Sequence, residues 1–133
     1  ADGPKPMVRK VAAGQLYQAT LISVEELTGR YPQGSVAVIT VDSVPLAKHL
    51  RTKGWQIIPG EGGHWSSGDR TLWLLGSEDS RGLEFDGVVV VEPEDFPVNL
   101  AIRGQLYTSL TRANRELHVV HSKGLPDGMR SPR

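Results

Sequence analysis

Three runs of branched apolar residues punctuate the chain: Val36–Val41, Thr71–Leu75 and Val88–Val91. They lack the polar–apolar alternation of a half-exposed strand, as expected of strands covered on both faces of a sheet. Leu117–His121 reads as a fourth strand, and Met7–Val11 and Gln56–Ile58 as shorter ones. Between them the spacing becomes helical. Leu16, Ala19 or Thr20, Val24 and Leu27 recur at about one turn, and the stretch ends at Gly29 and the Pro32–Gly34 turn. Asp42 or Ser43 is placed to cap a short helix with Pro45 in its first turn, Leu46 and Leu50 on one side and Gly54 as its stop. A last helix is expected from Val98 to Ala113, with the stripe Ile102, Leu106, Leu110 and Ala113. Gly60, Gly62, Gly63 and Gly68 mark a hairpin-like loop that matches neither GxGxxG nor GxxxxGK[ST]. Buried strands alternating with helices predict an α/β domain with a largely parallel sheet.

Composition narrows the chemistry. The 133 residues fit one domain or part of a larger protein, and the chain has no cysteine, so disulfides, thiol nucleophiles and thiolate metal sites are excluded. No apolar run approaches the ~20 residues needed to span a bilayer, and residues 1–10 lack a signal-peptide apolar segment. A cytoplasmic location without a membrane partner is the expectation. Fifteen basic and fifteen acidic residues cancel. The cancellation is uneven: residues 1–75 carry eight basic and six acidic residues, 76–96 one and seven, and 97–133 six and two. Solvated loops of opposite sign would give this pattern, and so would a working surface with basic groups beside an acidic loop.

Two passages concentrate candidate chemistry: Ser80–Val91, SRGLEFDGVVVV, and Leu106–Leu117, LYTSLTRANREL. The first puts glycine and carboxylate ahead of a buried strand. The second puts Arg112 near the border of a helix's apolar stripe, anchored by packing and able to project a planar fork. That geometry suits phosphate recognition, and it equally suits an ion pair with the acidic 76–96 segment. His118 and His121, three apart on a strand, face opposite sides and do not converge on a metal. His49 and His64 have no companion at ligand spacing, so no metal site is expected. Trp73 lies inside a strand, whereas Trp65 on the glycine-rich loop is a candidate stacking contact for nucleic acid.

The two passages resemble motifs V and VI of superfamily 1 helicases of the UvrD/Rep type. Arg81–Asp86, RGLEFD, matches the first, and Leu106–Tyr107 with Leu110–Ala113, LTRA, matches the second, in the family's order. The wording is most similar to that of the HelD branch, whose members associate with RNA polymerase. The resemblance implies a RecA-like P-loop NTPase-type domain, a mostly parallel sheet flanked by helices and lacking its own Walker A loop. It implies residues 1–34 as a lead-in, 35–123 as the C-terminal RecA-like domain and 124–133 as a flexible tail. It further implies Arg112 as the arginine finger on the γ-phosphoryl group, and Gly82 and Glu84 as nucleotide contacts. Arg81 is a further candidate contact to nucleic acid. ATP with Mg2+ would be held mainly by a first RecA-like domain. Single-stranded nucleic acid and RNA polymerase are the remaining implied partners, and the domain alone is expected to be inactive. Gly76 and Glu78 stand where DNA-translocating relatives carry Thr and His, and glutamate repels phosphate. That departure favours a HelD-like motor, or a non-catalytic docking module on RNA polymerase, over a processive unwinding enzyme.

Overall fold

The apolar runs become the centre of one seven-stranded sheet. The computed structural model describes residues 6–60, 62–76, 79, 83–96 and 112–125. In chain order the elements are β1 (Met7–Lys10), α1 (Leu16–Arg30), β2 (Val36–Ile39), α2 (Val44–Thr52), β3 (Gln56–Ile57), β4 (His64–Ser67), β5 (Arg70–Leu75), β6 (Phe85–Val91) and β7 (Ala113–His121), with single 3-10 turns at Ala13–Gln15 and Pro93–Asp95. The strands lie in the order β1-β7-β6-β2-β5-β4-β3. The first five run parallel, and the β4–β5 and β3–β4 pairs are antiparallel. The fold is thus the mixed α/β, mostly parallel sheet expected from the alternation of strand and helix patterns.

Successive residues of the central strands feed two cores, because side chains alternate across a sheet. Val36, Val38, Leu72, Leu74, Val89, Val91 and Val120 pack with Val24 and Leu27 of α1 and Leu46 and Leu50 of α2. Ala37, Ile39, Leu75, Val88, Val90, Leu117 and Val119 join Phe85 and Phe96 on the other face. Each fully buried Val, Leu or Ile contributes about 1.5–3 kcal/mol of transfer free energy, so these two layers dominate the fold's stability. Gly87 lets α1 lie close to β6: a Cβ there would stand 3.0 Å from Leu27 Cδ2. Within residues 1–34, read from sequence as a lead-in, β1 pairs with β7 and α1 covers one face of the sheet.

Three local readings change. The glycine-rich stretch contains β4, which turns at Gly68–Asp69 into β5 with Trp65 opposite Leu72. Its pattern, HWSS, carries one large apolar residue and so shows no strand signal. The strand read from Leu117 begins at Ala113, because its first four residues, ANRE, are largely solvent-facing while Leu117–His121 are buried. Residues 98–111 of the last expected helix lie outside the described residues. Its expected final residue, Ala113, belongs to β7, and Arg112 immediately precedes that strand. Among the described residues no helix is long and apolar enough to cross a membrane.

Candidate functional site

Parallel pairing of β6 with β7 sets Phe85 opposite Ala113, which brings the two motif-bearing passages together at the amino-terminal ends of these strands. The Phe85 N–H donates to the Arg112 carbonyl at 2.9 Å. The Arg112 Nη1 donates to the Leu83 carbonyl at 3.1 Å, across 29 residues of sequence. Glu84, between those two anchors, is exposed beside the arginine's chain segment. Arg112 therefore stands just ahead of β7, with its carbonyl and its guanidinium both bonded to the Leu83–Phe85 segment. Gly82 and Arg81 lie outside the described residues. Trp65 is not on an open loop: it is 3% exposed in β4, with the Arg51 guanidinium 5.2 Å above its ring centre. It packs as a core residue and offers no open ring for stacking. Trp73 stacks on His64, with ring centres 4.0 Å apart and planes 5° from parallel.

A second set of residues holds this edge in shape. The β6–β7 register shifts between Phe85 and Gly87, where β7 carries one extra residue. Such a bulge re-aims side chains. Here Arg115 Nε comes 3.2 Å from Asp86 Oδ1. The other oxygen, Oδ2, accepts the Ser35 backbone N–H at 2.8 Å, and the Asp86 N–H donates to Ser35 Oγ at 3.3 Å. This reciprocal clasp ties the start of β2 to the start of β6. Gly34 leaves room for it: a Cβ there would overlap Asp86 Oδ2. Gly34→Ala is expected to displace the carboxylate and destabilise the domain by about 1–3 kcal/mol. Thermal melts would read this, and Asp86→Ala in the same chain should return part of the loss by removing the clash.

On the α1 side, Glu116 is the hub of a network. Arg30 donates through Nε to Oε1 at 2.7 Å and through Nη2 to Oε2 at 2.6 Å. The Tyr31 hydroxyl donates to Oε1 at 3.1 Å. His118, wholly buried, presents Nε2 to Oε2 at 2.7 Å and Nδ1 to Ser23 Oγ at 2.8 Å. A carboxylate only accepts, so Nε2 carries a proton and donates it to Glu116. Burial alone would push the Glu116 carboxyl up, but hydrogen bonds from Arg30, His118 and Tyr31 outweigh it and hold the group below the usual carboxylate range. At the opposite end of the sheet, Glu92 is 4% exposed. It accepts the N–H groups of Ser122 at 2.8 Å and Lys123 at 3.0 Å, together with the Ser122 hydroxyl. Burial again pushes this carboxyl up, and the Ser122 and Lys123 contacts bring it below its ordinary value.

Both carboxyls are depressed in the folded state. Their stabilisation is therefore complete above the unfolded value, about 4.3, and is lost as pH falls through the folded values. Urea midpoints are expected to hold from pH 7 to 5 and drop steeply below about pH 4. Glu116→Gln should flatten that drop while lowering the midpoint at pH 7, and an unchanged acid limb in this variant would contradict the assignment.

Two grooves flank the Tyr31–Gly34 connection. One, of about 440 Å3, includes Asp69 and Arg70, and the other, of about 280 Å3, includes Asp86 and Arg115. Among the described residues no group of three or more His, Asp and Glu side chains could hold a metal ion. What the edge offers is an arginine fixed by two backbone contacts beside an exposed carboxylate. A guanidinium so placed can stabilise charge on an oxyanion held by a neighbouring body.

No protein-family model matches the chain, and no curated protein matches it significantly. Solved structures do. The chain is similar to the C-terminal domain of a possible DNA helicase from Lactobacillus plantarum WCFS1, at 22% identity and a TM-score of 0.68, covering 96% of this chain and 78% of that one. It is also similar to the large terminase of a thermophilic bacteriophage, solved with ADP, at 11% identity and a TM-score of 0.50, covering 90% of this chain and 34% of the terminase. At these identities the likeness is one of fold.

Proposed function

We propose that this domain is the second RecA-like half of an ATP-driven motor of the UvrD/Rep type, supplying Arg112 to an ATP site completed by a first RecA-like domain. The observation that carries the reading is the meeting of Arg112 with Leu83 and Phe85, on either side of Glu84, which joins the two motif-like passages at the amino-terminal ends of β6 and β7. The helicase domain's similar fold supports it. The chain has no GxxxxGK[ST] loop, so the β- and γ-phosphates and their Mg2+ belong to the partner domain. This half contributes charge and shape. Arg112, held in place by Leu83, stabilises the charge that spreads over the γ-phosphoryl oxygens during transfer. Glu84 accepts a hydrogen bond from a sugar hydroxyl, and Gly82 lets backbone approach the nucleotide. Alone, the domain does not hydrolyse ATP.

The acidic 76–96 segment supports the HelD-like version of this reading, a motor that works on RNA polymerase in preference to unwinding duplexes. Of its seven acids, Glu92 is buried, and Asp86 and Asp95 are paired with Arg115 and Lys123. The exposed Asp79, Glu84 and Glu94 are the ones that repel a nucleic-acid backbone and suit a basic protein surface. Steady-state ATPase assays of the two-domain protein separate the versions. Stimulation by RNA polymerase but not by single-stranded DNA supports the HelD-like motor, and stimulation by DNA supports a translocase. No turnover under either condition contradicts the motor assignment and leaves the docking module.

A further inference from the structure

A groove of about 280 Å3 lies between α1, α2 and the β4–β5 hairpin. Its floor is apolar: Leu21 and Trp55 are buried, and Ile22 stands 42% exposed along it. Its rim is charged, with Lys53 after α2 and Arg70 at the start of β5, opposed by Glu25 of α1. Arg9, Arg30, Arg115 and Lys123 are each held by a carboxylate. Lys53 and Arg70 have no such partner among the described residues, and the exposed Lys48 and Arg51 add positive charge from α2. His49 also lines the groove, and its Nε2 is sealed from solvent without a hydrogen-bond partner.

We propose that this groove binds a small organic anion. Its apolar body rests on Leu21, Ile22 and Trp55, and its anionic head lies between Lys53 and Arg70. The volume, about 280 Å3, lies just below the ~300–1,000 Å3 of ligand pockets, and so suits a single ring, not a nucleotide. Glu25 on the α1 side disfavours a polyanion laid along the groove. None of the residues at the Arg112 edge takes part, so the inference stands apart from the ATP-site reading.

A 1H–15N titration of the whole chain with phenylphosphate, benzoate and inorganic phosphate, each to about 10 mM, tests it. At least one aryl anion should shift the Ile22, Lys53, Trp55 and Ser67 resonances saturably, and inorganic phosphate should bind at least about ten-fold more weakly because it lacks the apolar body. Phenylphosphate against benzoate distinguishes a phosphate from a carboxylate head. Lys53→Met and Arg70→Met should each weaken binding about ten-fold, the scale of one lost charge-assisted hydrogen bond. Both side chains are exposed, and an otherwise unchanged spectrum shows that the fold is kept. No saturable shift with either aryl anion overturns the proposal, as does equal binding of inorganic phosphate or undiminished binding by both variants. A single-stranded oligonucleotide that moves the same resonances at lower concentration also overturns it, in favour of a nucleic-acid surface.

Discussion

Arg112→Ala, in a protein that joins this domain to a phosphate-binding RecA-like domain, is expected to lower kcat for ATP hydrolysis by about 10³-fold while KM for ATP stays within a few-fold of wild type. A thousand-fold loss corresponds to about 4 kcal/mol of transition-state stabilisation, within reach of one guanidinium acting on spreading phosphoryl charge in a closed site. On the proposed reading its effect falls on the transition state, because the ground-state nucleotide would be bound by the other domain. Lysine at this position keeps the charge but not the fork that the Leu83 carbonyl orients, so Arg112→Lys should recover little. If Arg112 only secured the β6–β7 edge, the alanine variant would melt at lower temperature and turn over ATP normally per folded molecule.

Glu92→Ala should cost about 3 kcal/mol of folding stability, a fall of about 10 °C in melting temperature for a domain of this size. The side chain accepts two backbone N–H groups and a hydroxyl while itself nearly sealed from water, and alanine removes all three of these charge-assisted bonds from part-buried donors. Glu92 also has φ of +53°, and it is the one non-glycine residue with positive φ among the described residues. A side chain in that region costs about 1–2 kcal/mol. Glu92→Gly loses the same hydrogen bonds but sheds that cost, so it should melt above Glu92→Ala, with about 1 kcal/mol regained. Equal losses in the two variants would mean that the backbone strain contributes nothing. Glu92 and Arg112 divide the labour between the two ends of the sheet: the fixed carboxylate secures the carboxyl-terminal end, whereas the arginine's expected role lies at the opposite one.

The parts of the fold legible in the sequence are those in which burial writes a continuous signal. Val36–Ile39 and Val88–Val91 can be read as doubly covered strands, and Leu46, Leu50 and Pro45 as a short helix, because each depends on neighbours in the chain. β4 and the start of β7 cannot, because HWSS and ANRE take their conformation from pairing with β5 and β6 and not from their own apolarity. Trp65 escapes a sequence reading for the same reason: its burial follows from a hairpin that glycine spacing alone presents as a loop. At the site, motif resemblance names Arg112 and Glu84, but the β6–β7 register is what sets Arg112 against Leu83 and Phe85, on either side of Glu84. Asp86 lies inside the recognised motif without a legible role, since its partner Ser35 is 51 residues away. Glu116 and Arg30 are 86 apart, and no local pattern signals such a pair.

The central claim is that Arg112 meets a nucleotide bound by another domain and does so chiefly in the transition state. The most direct measurement compares wild type and Arg112→Ala, in the two-domain protein, for binding of ADP with aluminium fluoride and of a non-hydrolysable ATP analogue. Wild type should bind the transition-state mimic far more tightly than the ground-state analogue. The variant should lose about 10²–10³-fold toward the mimic and little toward the analogue. Equal affinity of the two proteins for the mimic would contradict the account.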